Sequence, residues 1–388
     1  MEDEGAVYTV FEVLNSRGLD VDWLDKCKSL LMGLLYEKIQ SVNHEKPEDA
    51  EVALKTHLGI LHQYWANIYK TVGMRKIQGY EVVRFSATLK NIDKALRKVM
   101  SPESALDFFK EDCISVQKII ETTKHIEEVV LCLSKLYDDE KLKAVTDVSQ
   151  ARLLAVSIML KYNNENNKKD REKLLNQWER TSFKIYTLFR KDSRSGVGDY
   201  ISAARQVQLG EKSVNVLIKI IADIGKDFDI NKIDEDFKND WYNGYRKDIR
   251  YFFFKYEESL SKNPAQKIWN GIWNSNVDDT IEHVLPQNLN GEWSHFSKNE
   301  HEKYLNSIGN LCILSRGENT KALDKNFNGV NSKKEVYLNN LAIVSLRDIY
   351  YTDEKNKEER VVWDKEAIEE RTERLLKFAK EQWKDLDV

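Results

Sequence analysis

The sequence predicts a mainly α protein: a helical array carrying a small strand–loop–strand–helix (ββα) core near its C-terminal end. Three observations predict it. Only 4 Pro and 16 Gly punctuate 388 residues, which favours long helices over an all-β sandwich. Apolar residues recur at three- and four-residue steps from Glu48 to about Gly210. Two short apolar runs, 280–285 and 310–314, read as strands, with a polar excursion between them and a helix-compatible segment, 319–327, after the second.

In chain order, residues 7–15 read as a short helix that Gly18 closes in a left-handed cap. Asp20 or Asp22 then caps a second helix, whose Leu24, Cys27, Leu31 and Leu34 share an apolar face. The helical array follows. Leu54 to Ile68 and Val82 to Val99 keep the spacing, Leu106 to Leu136 is one long helix or two, and 150–162 and 174–189 are further helices. Between Lys161 and Arg194 stand ten Lys and Arg against five acids, with Trp178, Phe183, Tyr186 and Phe189 interleaved. That stretch reads as a solvated charged face over a packed aromatic stripe, or as a surface that tracks phosphates. Residues 193–198 (SRSGVG) read as a loop, 240–261 as an aromatic-rich helix bearing Arg246, Lys247 and Arg250, and Pro264 with 270–276 as the approach to the ββα core. After that core come a helix over 333–349, a charged loop over 350–359 and a closing amphipathic helix over 363–383.

The ββα order suits phosphodiester cleavage. The reaction needs a neutral imidazole to take a proton from water, and a divalent cation to neutralise charge on the phosphate oxygens. His283 ends the first strand and is the candidate base. Glu282 and Asn319 offer the hard oxygens that hold such a cation while leaving sites open for water and phosphate. Strand geometry points Glu282 and His283 to opposite faces unless the strand end bends near Pro286. For Asn310, which opens the second strand, and Asn319, which opens the helix, turn and N-cap roles are sufficient alternatives. His295 and His301 read as surface residues of the intervening loop, and His57, His62 and His125 form no metal spacing.

At E-H-V-L-P-Q, I-G-N-L-C-I-L and E-N-T-K-A-L the chain resembles the HNH (His-Me finger) nuclease domain of GmrSD-type restriction proteins, in its His-x-x-Pro form from His283 to Pro286. Trp363, Ile368, Arg371 and Trp383 echo that family's W-x-x-x-x-I-x-x-R pattern and terminal Trp. The resemblance implies His283 as general base, Asn310 as the residue holding the base-bearing loop, Asn319 as metal ligand, and Glu282 where many such enzymes carry a metal-binding acid. Further upstream, F-E-V-L-N-S-R-G-L-D-V-D-W-L-D-K resembles a motif of the ParB-like domain that precedes the nuclease in the same family. The D-G-Q-Q-R motif tied there to nucleotide hydrolysis is absent from this sequence. Nucleotide hydrolysis by this chain is therefore not expected, Asn15 and Arg17 read first as turn residues, and a ParB-like NTPase subunit becomes a candidate partner. The expected domains are 1–45 (ParB-like remnant), 46–238 (helical) and 239–388 (HNH-like nuclease).

Composition bounds the function. Hydrophobic residues at 41% and charged ones at 32% suit a soluble globular chain of two or three domains. Cys27, Cys113, Cys132 and Cys312 form no C-x-x-C pair, which argues against zinc knuckles and suggests reduced thiols and a cytoplasmic setting. No apolar run reaches the ~18–20 residues of a membrane span. A net charge of −4 leaves DNA contact to local patches, for which Arg316, Lys321, Lys325, Lys333, Lys334, Arg246 and Arg250 are the candidates. The reading that results is a metal-dependent DNA endonuclease, with Mg2+ or Mn2+, resembling the effector of a modification-dependent (type IV) restriction system against phage DNA. A non-catalytic helical interaction module is the alternative from another class, and an RNA-directed nuclease shares the site chemistry.

Overall fold

Helix α1 (Trp23–Gln40) begins where the Asp22 carboxylate accepts the backbone N–H of Leu24 at 2.8 Å. Its Leu24, Cys27, Leu31 and Leu34 are buried, as their spacing predicts. Gly79, at the start of a later helix, leaves room for the same Asp22 carboxylate, which a Cβ there would strike. The computed structural model describes residues 21–42, 47–139, 145, 147–233, 237, 238, 240–261, 264, 266–289, 291–353 and 355–387. The expected helix over 7–15, Gly18, Asp20, Asn15 and Arg17 lie outside them.

The chain forms two compact units, Met1–Trp178 with Ser193–Ile224 and Val388, and Glu179–Asp192 with Gly225–Asp387. These divisions differ from the expected boundaries at 45/46 and 238/239. The described residues are mainly helical, and no helix among them is long and apolar enough to cross a membrane.

In the first unit, α2 (Pro47–Arg75), α3 (Gly79–Lys90), α4 (Pro102–Asp112), α5 (Val116–Asp138) and α6 (Ser149–Lys161) follow α1. Helix α7 (Lys168–Phe183) runs on past Trp178, and α8 (Val197–Leu209) and α9 (Val214–Asp223) complete the unit. α2 packs on α5, and α6 on α8. One expectation is corrected, and one open alternative is resolved. The apolar spacing from Val82 to Val99 is helical only to Lys90, because Asn91 turns the chain and Arg84 and Thr88 bond the backbone of Met100 to close a loop. The 106–136 run is two helices, the second opened by the Ser115 hydroxyl accepting from Lys118 N–H. Inside the array the Glu81 carboxylate, 3% exposed, takes Arg152 at 2.6 Å, so the buried charge is paired.

The basic run over 161–194 is partly structural. Arg171 donates to the Tyr162 carbonyl, Arg180 to that of Lys384, and the buried Lys184 pairs with Asp385 at 3.0 Å. Arg190 lies over the Tyr245 ring and Lys191 over Phe228. Lys168, Lys169 and Lys173 are exposed.

The second unit contains α10 (Arg246–Leu260), α11 (Gln266–Asn274), β1 (Ile281–His283), α12 (Lys298–Tyr304), β2 (Leu311–Ile313), α13 (Arg316–Ala322), α14 (Lys333–Asn339), α15 (Arg347–Tyr350), β3 (Tyr351–Asp353), β4 (Glu358–Glu359) and α16 (Lys365–Gln382). Trp383 anchors it. Its ring stacks on Phe183 at 4.5 Å, and its Nε1 shares the buried Glu179 carboxylate with the Tyr251 hydroxyl, both at 2.9 Å. Three expectations change here. Residues 240–245 precede α10 as a turn, held by the Asp240 carboxylate accepting from Asn243 N–H. The expected helix over 333–349 breaks after Asn339, where the buried Glu257 carboxylate draws the N–H groups of Val344 and Ser345 at 2.7 and 2.8 Å. The charged loop over 350–359 contains the antiparallel β3–β4 pair.

Candidate active site

β1 and β2 pair antiparallel, Ile281 opposite Ile313, Glu282 opposite Cys312 and His283 opposite Leu311. Both strands are buried throughout, which is why their sequences are apolar runs broken only where a polar side chain finds partners. Past the paired residues, Val284 N–H still reaches the Asn310 carbonyl and Leu314 N–H that of Thr280, both at 3.0 Å.

Asn310 fixes the chain beyond His283. Its Oδ1 accepts from Leu285 N–H at 2.7 Å and from the Trp363 indole at 3.1 Å. Its Nδ2 donates to the carbonyls of Leu285 at 3.1 Å and Leu305 at 2.9 Å. An amide offers two donors and two acceptor sites, and all are used at this fully buried position. Arg371 on α16 then donates to the Gly309 and Leu311 carbonyls at 2.8 and 2.6 Å and pairs with the buried Asp348. Gly309 is required by this close approach, since a Cβ would collide with the Thr372 hydroxyl and the Ile368 carbonyl. Gly-Asn-Leu and the Trp-Ile-Arg pattern of the C-terminal helix are thus two halves of one network.

His283 is 6% exposed. Its Nε2 lies 3.2 Å from Asn306 Oδ1, and the Tyr242 ring meets it edge-on with centroids 4.5 Å apart. Asn306 in turn donates to Asp240 at 3.1 Å. Burial pushes the imidazole down to about 4, against the opposing pull of Asn306, so the ring is neutral at pH 7. The next turn of chain is braced by His301, whose Nε2 is 2.9 Å from the Pro286 carbonyl. The exposed His295 contacts the Trp363 carbonyl at 3.0 Å.

Glu282 sits on the opposite face of β1 with partners other than those expected of a metal ligand. Lys333 reaches its carboxylate at 2.5 Å and the His283 carbonyl at 2.7 Å, while the Tyr337 hydroxyl donates at 3.1 Å. Burial raises this carboxyl, and Lys333 and Tyr337 draw it back. The strand does not bend to bring Glu282 round beside the imidazole; successive side chains keep to opposite faces.

Asn319 stands inside α13 rather than opening it. The helix starts four residues earlier at Ser315, in a capping box with Glu318. Asn319 Nδ2 donates to the Asp279 carbonyl at 3.0 Å and, more weakly, to that of Ile281 at 3.4 Å, tying α13 to the entry of β1. Its Oδ1 bonds no donor among the described residues, which contain no cluster of three or more His, Cys, Asp or Glu fit for a metal. An amide oxygen is a neutral donor, weaker than the carboxylates through which proteins usually hold Mg2+, so water and phosphate oxygens would have to supply the rest of the shell.

The basic candidates divide by burial. Arg316 is exposed, 3.5 Å from Asp279, and Lys321 and Lys325 line a hollow of about 470 Å³ with Glu318, Ser332 and Glu335. Arg246 pairs with Asp278 at 2.9 Å and lies over Tyr242. Three others are corrected. Arg250, 8% exposed, donates to the carbonyls of Ile272 and Ser275, Lys333 holds Glu282, and Lys334 is buried against Glu359. None of the three is a surface cation. Sequence reading also missed Asn306, Asp240 and Tyr242; the nearest clue was Asn306 standing just ahead of Ser-Ile-Gly-Asn-Leu.

Residues 227–378, within the second unit, match the family model described as GmrSD restriction endonucleases, C-terminal domain. No curated protein matches the chain. The family match points to a restriction endonuclease of the GmrSD type, and so to DNA as substrate.

Proposed function

We propose that this chain is a metal-dependent DNA endonuclease of the HNH type, in which His283 takes the proton from the attacking water. The observation that carries this reading is the buried, neutral His283 at the end of β1, with Asn310 clamping the backbone two residues beyond it. A neutral imidazole can accept a proton, and Asn310 keeps the strand end from shifting as it does so. Asn306 engages Nε2, so Nδ1 is the nitrogen that receives the proton. Asn319, through its amide oxygen, would hold a divalent cation, which when bound supplies positive charge to the phosphate oxygens. Glu282 is assigned to holding Lys333 rather than the cation.

At 6% exposure His283 meets a phosphodiester only after local movement, and Tyr242 is the side chain to be displaced. Arg316 and Lys321 on α13, and Lys325 just after it, would take up flanking phosphates. In biological terms the reading is the effector of a modification-dependent system against phage DNA, working with a ParB-like nucleotide-hydrolysing partner. Plasmid nicking by the full chain, with and without such a partner and across Mg2+ and Mn2+, tests it. Metal-dependent nicking that His283→Ala removes is the expected result; an Ala variant that nicks as fast as the parent would overturn it.

A further inference from the structure

We infer that Asn306 and Asp240 are positioning residues for the base, locking His283 in the tautomer that leaves Nδ1 free to accept a proton; this rests on the proposed role of His283. The orientation of the Asn306 amide follows from its partners. Only its NH2 end can donate to the Asp240 carboxylate, 3.1 Å away, so its carbonyl end faces the imidazole. A carbonyl oxygen 3.2 Å from Nε2 requires a hydrogen on Nε2. The lone pair of the neutral ring is then on Nδ1, and no group among the described residues hydrogen-bonds that nitrogen. A carboxylate–amide–imidazole chain therefore does for this ring what a buried Asp does in a Ser-His-Asp triad: it selects the tautomer and holds the ring plane.

The turn over 240–245 is built to supply that chain. Asp240 is fixed by Asn243, which donates its backbone N–H at 3.0 Å and its side-chain amide at 2.6 Å. Burial pushes the Asp240 carboxyl up, but these bonds and the one from Asn306 outweigh it and keep it ionised. Trp241 N–H also donates to the Asn306 backbone carbonyl at 3.1 Å. Tyr242, from the same turn, packs edge-on against the imidazole. One turn thus grips Asn306 by side chain and backbone, and packs an aromatic ring against the imidazole.

The test uses the full chain with 15N-labelled histidine. The imidazole 15N shifts report which nitrogen carries the hydrogen, with His283→Asn identifying the His283 signals. The parent should show the Nε2–H form. Asn306→Ala should give mixed tautomers and lower kcat for plasmid nicking by ~10–100-fold, with KM for DNA changed less than about twofold. Asn306→Asp combined with Asp240→Asn keeps an acceptor toward Nε2 without setting two carboxylates together, and should retain the tautomer and more kcat than the Asn306→Ala variant. Asp240→Asn, which frees the amide to turn, should cost ~3–10-fold in kcat and carries the test if Asn306→Ala fails to fold. A folded Asn306→Ala that keeps a pure Nε2–H ring and parental kcat overturns the inference. If His283→Ala is as active as the parent, the base assignment fails instead, and the tautomer readout still decides whether Asn306 sets the ring.

Discussion

Glu282 and His283 are neighbours on one short strand, both nearly inaccessible to water, and they solve burial in opposite ways. On one face Glu282 stays charge-compensated by the Lys333 ammonium. On the other His283 gives up its charge and keeps a polar contact to Asn306. The first arrangement is closed: each charge is spent on its partner, and a cation would have to compete with Lys333. The second leaves a neutral group with a nitrogen to spare. Burial of an ionisable side chain therefore does not mark chemistry by itself; what marks it is whether the neighbours consume its valence.

The comparison breaks most sharply at His283. Replacing it by Ala should cut nicking by at least roughly a thousand-fold, while chemical denaturation shows only the ~1–3 kcal/mol of a partly filled cavity. On the Glu282 face the order reverses. Lys333→Ala leaves a buried carboxylate without its partner and should cost about 3–5 kcal/mol in urea unfolding, with Glu282→Gln/Lys333→Met recovering most of it. Glu282→Gln alone should nick within ~10-fold of the parent per folded molecule, because its role is structural; complete loss at all Mg2+ concentrations would return Glu282 to the metal.

The two faces also separate by pH. Burial pushes the His283 imidazole down to about 4 in the folded protein, from the ordinary value of about 6.5 in the unfolded chain. Between those values the unfolded chain binds the extra proton, so this group's stability share is complete above pH 6.5 and lost as pH falls toward 4. The share is on the order of 3 kcal/mol. His125, half-buried with its ring on the Ser86 carbonyl in the first unit and likewise lowered to about 4, adds a loss of the same sign. His283→Asn should therefore flatten only part of the acid limb in unfolding experiments over pH 4–6.5. For catalysis, His283 should limit the rate only below about pH 5. The smallest effects belong to the surface. Lys321→Ala or Lys325→Ala should weaken DNA binding uniformly across sequences and reduce the salt slope of binding by about one, with little change in kcat.

Much of this site was legible in the sequence, for local reasons. Spacing placed both strands, and the bond of Asn310 to Leu285 lies where a residue opening β2 must face the end of β1. The helix pattern after Trp363 was visible, although its reason was not: Trp363 and Arg371 are there to meet Asn310 and the backbone beside Gly309. What stayed hidden depended on contacts between distant segments. Residues 240–245 share the aromatic content of α10, and although Asn243-Gly244 is a local turn signal, nothing in the sequence says that the turn brings Asp240 and Tyr242 to the imidazole. Arg250, Lys333 and Lys334 read as surface cations because composition carries charge but not burial. Asn319 falls inside α13 rather than at its start because the capping pair, Ser315 and Glu318, lies ahead of the 319–327 run.

Chemical rescue addresses the base directly. His283→Gly opens a space the size of the missing ring, and single-turnover plasmid nicking in Mg2+ can be followed with and without added imidazole. If His283 is the base, the Gly variant is inactive and imidazole restores metal-dependent nicking in proportion to its neutral form. If the variant nicks at the parental rate without imidazole, His283 does not take the proton, and the neutral face of β1 is as structural as the charged one.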